Sequence, residues 1–74
     1  MRKKVFDYSK LRGRIKEKYN TQDEFASAIG LGRVSLSKRL NNQLDFSQGE
    51  IKTAAVALGI EASEIPAYFF TLKV

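Results

Sequence analysis

Arg33, Val34, Ser35 and Lys38 stand at the front of a short segment whose apolar positions are Leu36 and Leu40. At about 100° per residue, Leu36 and Leu40 set the buried direction of a helix. Val34, Ser35, Lys38 and Asn41 then point away from it, with Ser37 and Arg39 at the flanks. Arg33 falls on the buried side by angle, but at a helix start a long side chain can swing outward. The chemistry on offer is readout of base edges. A guanidinium can donate two hydrogen bonds to guanine O6 and N7, and a valine methyl suits the thymine C5 methyl. Lys38 could reach a guanine or a phosphate, and Ser35 a base or the backbone. The candidate base contacts are therefore Arg33, Val34, Ser35 and Lys38. The plain alternative is a solvated polar face, against which an exposed Val34 beside three cations argues.

Other chemistry is scarce. The chain has no Cys and no His. A zinc site and a Ser/His or Cys/His dyad are thereby excluded on ligand type. Its 8 carboxylates suit helix caps and surface charge. No enzyme activity, metal, cofactor or small-molecule ligand is expected.

The 74 residues make one small domain with net charge +5. Residues 1–39 hold 11 Lys/Arg against 4 Asp/Glu, whereas residues 40–74 hold 2 against 4. A basic half beside a mildly acidic one suits an oriented encounter with a polyanion, or serves solubility. No apolar run approaches the ~20 residues that span a bilayer. Met1-Arg2-Lys3-Lys4 is basic but no apolar stretch follows it, so it is no secretory signal. A cytoplasmic protein of a bacterial host, on the nucleoid when bound, is expected.

Five helices must position the candidate residues. Asp7 reads as the N-cap of the first, with Phe6 and Leu11 at staple spacing and Tyr8, Leu11, Ile15 and Tyr19 on one face. Its cations read as a solvated face adding long-range attraction. Gly13 inside this helix costs up to ~1 kcal/mol, which a closely approaching backbone could explain. Thr21 and Glu24 match a capping box for the second helix, which Gly30 ends. Gly32 caps the third, and Asn41-Asn42 stops it because Asn tolerates the left-handed conformation. Ser47 and Glu50 form another capping box for the fourth, closed by Gly59. Ile60 to Ile65 reads as a short fifth helix or turn; Ser63 at its N-cap would make Pro66 tolerable. Tyr68 to Val74 has partial alternation of aromatic and β-branched residues, which favours an extended segment.

Thr21-Gln22, Phe25-Ala26, Gly30-Leu31, Leu36-Ser37 and Leu40-Asn41-Asn42 together resemble the Cro/CI-type helix-turn-helix family of phage and bacterial repressors. The likeness extends weakly through Leu58-Gly59-Ile60 and Ile65. It departs at Gly32, where Ser or Thr is usual, and at Leu40-Asn41-Asn42, where the usual ending is Glu-Asn-Gly. The resemblance implies an all-α, five-helix, lambda-repressor-like DNA-binding domain over 1–74. The helix-turn-helix would cover 21–41 and a short extended tail 66–74. It also implies base reading by the first, second and sixth positions of the third helix, here Arg33, Val34 and Lys38, and a phosphate contact by Gln22.

Thr21 and Gln22 stand where a helix N-terminus attracts phosphate. Ser37, Arg39, Asn41 and Asn42 are the further backbone candidates. Arg2, Lys3 and Lys4 read either as an arm along the minor groove or as a solvated tail. Phe69, Phe70, Leu72 and Val74 form an apolar strip expected at a homodimer interface. A twofold dimer would set two such helices about 34–36 Å apart on a palindromic operator. The expected function is a Cro-like transcriptional repressor of phage or prophage type that binds double-stranded DNA and occupies its operator. The alternative is a protein-interaction module, an anti-repressor or toxin regulator, that retains the helix-turn-helix scaffold. A sequence-blind nucleic-acid binder and a dimerising adaptor are weaker rivals.

Overall fold

Two helices of this chain, the second and the fourth, start where a side-chain oxygen takes a free backbone N–H. Thr21 Oγ1 accepts from Glu24 N at 3.1 Å, opening one helix. Ser47 Oγ accepts from Glu50 N at 3.1 Å while Glu50 Oε1 accepts from Ser47 N at 2.9 Å, a complete capping box. The computed structural model describes residues 5–73. In order they form α1 (Ser9–Tyr19), α2 (Gln22–Ala28), α3 (Arg33–Leu40), α4 (Gln48–Leu58), a 3₁₀ turn (Ala62–Glu64) and α5 (Ile65–Phe69). This is the expected all-α architecture of five helices. Among the described residues, no helix is long and apolar enough to cross a membrane.

Three local expectations shift. The first cap position falls on Tyr8, one residue after Asp7. The Asp7 carboxylate still takes the Ser9 amide at 2.9 Å and the Ser9 hydroxyl at 2.6 Å. The Thr21 box is half made, because Thr21 N donates to Tyr19 O rather than to Glu24. The final helix runs later than expected: Pro66 sits in its first turn and Ser63 caps nothing. Tyr68 and Phe69 are therefore helical, and the extended tail shrinks to one antiparallel bridge between Phe6 and Leu72.

Helix ends follow backbone permissiveness. Gly30, Asn42 and Gly59 take φ of +77°, +63° and +67°, reversing the chain after α2, α3 and α4. Gly13 differs: a Cβ there would meet nothing within 4 Å, so no close neighbour accounts for it.

The core gathers Leu11 and Ile15 of α1, Phe25 of α2, Leu36 and Leu40 of α3, Leu58 of α4 and Phe69 of α5. Helix α1 packs against α2, α4 and α5, and α2 against α3. A row of aromatic rings ties the chain ends to this core. Phe69 meets Phe46 edge-on at 5.3 Å, and Phe46 meets Tyr8 edge-on at 5.6 Å.

Two arginines of α1 also hold the fold. Arg12 Nη2 donates to Leu40 O at 3.1 Å at the end of α3. Arg14 Nε donates to Leu58 O at 3.1 Å at the end of α4. Both cations meet the negative end of a helix. The expectation that they form only a solvated face is corrected, since distant carbonyls engage them.

Candidate functional site

The turn between α2 and α3 brings the first residues of both helices together. Asp23 lies in the first turn of α2 and Arg33 is the first residue of α3. Arg33 Nε donates to both carboxylate oxygens of Asp23, at 3.0 and 3.1 Å. The pair stays in solvent, with the Arg33 side chain 74% and the Asp23 side chain 53% exposed.

Beside it Val34 is 64% exposed, one of several apolar side chains that face solvent, Val56 among them. Lys38, one turn on, is exposed and has no side-chain partner among the described residues. Arg33, Val34 and Lys38 therefore share one accessible patch. Ser35 does not belong to it as expected: it is half-buried, and both its hydroxyl and its carbonyl accept from Arg39 Nη1.

Arg39 is held as part of the scaffold. Its Nε and Nη2 donate to Glu50 Oε1 and Oε2 at 2.9 and 3.1 Å, a two-pronged pair joining α3 to α4. Only 14% of the Arg39 side chain remains accessible. The guanidinium holds the Glu50 carboxyl below its usual pKa, helped by the Ser47 amide.

Of the remaining backbone candidates, Ser37, Asn41, Asn42 and Thr21 are also engaged. Asn41 Oδ1 accepts from Arg12 Nη2 at 3.0 Å, and Asn41 Nδ2 donates to Ser37 Oγ at 3.3 Å. Asn42 pairs with the backbone of Phe6. Thr21 spends its hydroxyl on the α2 cap. Gln22 is half-buried at the first position of α2. Two carboxylates, Asp23 and Glu24, follow it in the first turn and already answer the positive end of that helix.

The expected dimer strip divides. Phe69 is 2% exposed and lies in the core, so its assignment to an interface is corrected. Phe70 and Leu72 are 50% and 53% exposed. Arg2, Lys3, Lys4 and Val74 lie outside the described residues.

A cleft of about 430 Å³ opens between Phe6, Tyr8, Arg12 and Asn42. Its strongest donor, Arg12, already serves Leu40 and Asn41. Among the described residues there is no cluster of three or more His, Cys, Asp or Glu that could hold a metal.

Asp23 and Glu50 are the residues that sequence reasoning missed as partners. Asp23 lies ten positions before Arg33 and Glu50 eleven after Arg39. No periodicity within one helix reports such pairs. The one available signal was that a helix-turn-helix juxtaposes the starts of its two helices.

The family model described as "Protein of unknown function (DUF739)" matches residues 4–72. No curated protein matches the chain. Among solved structures, the chain is similar to the solution structure of the modulator of repression (MOR) of the temperate bacteriophage TP901-1 from Lactococcus lactis. The two share 42% identity over 88% of each chain, with a TM-score of 0.79. These findings correct the resemblance to Cro/CI-type repressors: the family and the matching structure point to a different kind of protein. The residues that carried the resemblance are caps, turn glycines and core positions. They report a scaffold, and a scaffold can serve unlike partners.

Proposed function

The chain belongs to the DUF739 family, and we propose that it is a small regulator of a temperate phage or prophage that modulates repression by binding another protein. The observation that carries this reading is the 42% identity, over 88% of both chains, to a phage modulator of repression.

The patch on α3 supports a protein partner. Val34 offers an apolar anchor and Lys38, one turn away, a cation without a side-chain partner among the described residues. Arg33 carries its own counter-charge in Asp23, and Arg39 is tied to Glu50. The front of α3 is thus less cationic than its sequence suggests. A partner surface with a small apolar recess beside a carboxylate fits it.

The test pairs the chain with the DNA-binding repressor encoded by the same phage or prophage. The expected result is co-elution of the two proteins in size-exclusion chromatography and a changed affinity of the repressor for its operator. The chain alone should enrich no motif from a random duplex pool. A chain that selects a duplex motif by itself, and leaves the repressor's operator affinity unchanged, overturns the reading.

A further inference from the structure

We propose that Asp23 is a specificity determinant that keeps the front of α3 off nucleic acid. This rests on the protein-binding reading and adds the residue that enforces it.

The geometry carries the argument. Both Asp23 oxygens lie within 3.1 Å of Arg33 Nε, so the carboxylate sits on the guanidinium nearest the start of α3. The pair is exposed on both sides, and pairs of that kind add little to stability. Its effect is on the field in front of the helix. A duplex approaching α3 presents phosphates, and affinity for it grows with each phosphate that a cation neutralises. Here Arg33 already has a carboxylate as its counter-charge. Asp23 and Glu24 also place two negative charges in the first turn of α2, beside the start of α3. Lys38 is then the cation left on this face without a side-chain partner among the described residues. A protein surface carrying its own mixture of charges meets no such penalty.

Removing the carboxylate should therefore release a duplex-binding tendency that depends on Arg33. The experiment titrates a short fluorescein-labelled duplex of mixed sequence by anisotropy, at several salt concentrations. The variants are Asp23→Asn, Asp23→Ser, Asp23→Asn with Arg33→Ala, and Glu17→Gln. Glu17 is an exposed carboxylate on α1 paired with Arg14, so Glu17→Gln removes the same charge elsewhere. Thermal melts check that each variant is folded.

Asp23→Asn and Asp23→Ser should gain about tenfold in low-salt affinity and lose that gain as salt rises. Glu17→Gln should gain no more than about threefold, the general effect of net charge. Adding Arg33→Ala to Asp23→Asn should abolish the excess. An inert parent whose Asp23 variants are equally inert, or no better than Glu17→Gln, overturns this inference alone. A gain that survives Arg33→Ala also overturns it. A parent that enriches a motif from the random duplex pool overturns the protein-binding reading, and this inference with it.

Discussion

Asn42 closes on Phe6 as a second peptide group would. Its Oδ1 accepts from Phe6 N at 2.8 Å and its Nδ2 donates to Phe6 O at 3.0 Å. The residue that ends α3 thus holds the segment leading into α1, across 36 positions of chain. The same residue bends the backbone at φ +63°. Asn alone among the polar residues here combines both tasks: an amide with donor and acceptor, and tolerance of the left-handed region.

Asn42→Gly should separate the two tasks. It keeps the backbone conformation and loses both hydrogen bonds, costing about 1–2 kcal/mol. Asn42→Ala adds the strain of a Cβ at positive φ, for about 1 kcal/mol more. Urea unfolding of both variants checks the order. Equal destabilisation would mean that the left-handed turn contributes nothing at this site.

Arg39 and Glu50 should prove to be a structural pair. Arg39→Met should destabilise the fold by about 1–2 kcal/mol, between the ranges for exposed and buried ion pairs. A double-mutant cycle with Glu50→Gln should return a favourable coupling. The pair also makes stability depend on pH. The Glu50 carboxyl is held below its usual 4.5, mainly by Arg39 and then by the Ser47 amide. A group whose folded pKa is lowered contributes fully above its unfolded value, and that contribution is lost as pH falls through the folded value. Asp7, lowered by the Ser9 hydroxyl and amide, acts in the same direction. The melting temperature should therefore hold near neutrality and decline below about pH 4.5. Arg39→Met should flatten that decline.

Phe69 and Phe70 are neighbours with opposite fates. Phe69 is 2% exposed and stacks edge-on to Phe46, whereas Phe70 is 50% exposed. Phe69→Ala should cost about 3–5 kcal/mol, the range for a fully buried aromatic. In so small a domain that loss can unfold most of the population. Phe70→Ala should cost under about 1 kcal/mol. Thermal denaturation of the two variants side by side distinguishes them, and comparable losses would place Phe70 in the core as well.

Glycine-to-alanine changes should move stability in both directions. Gly13 is helical, exposed and free of neighbours within 4 Å. Gly13→Ala should stabilise by about 0.5–1 kcal/mol, through helix propensity and a less flexible unfolded chain. Gly59 sits at φ +67° at the end of α4. Gly59→Ala should destabilise by about 1 kcal/mol despite the room around it, because the strain lies in the backbone. Two melting curves measured against the parent test both signs.

The sequence determined by itself whatever is decided within one turn of chain. Thr21, Ser47 and Glu50 announce helix starts, because a cap needs only the backbone two or three residues ahead. Gly30, Asn42 and Gly59 announce helix ends, because the left-handed turn depends on one residue's own sterics. The apolar spacing of Leu36 and Leu40 likewise placed the buried side of α3. Tertiary structure decided the rest. Whether Arg33 faces a partner bare or already paired depends on where α2 begins in space. Whether Arg39 is a free cation depends on how α3 crosses α4. The tail looked extended because its residue types favour strands, yet burial of Tyr68 and Phe69 against the core drew it into α5. Pairing and burial are properties of distances between elements, and the linear order of side chains leaves those distances open.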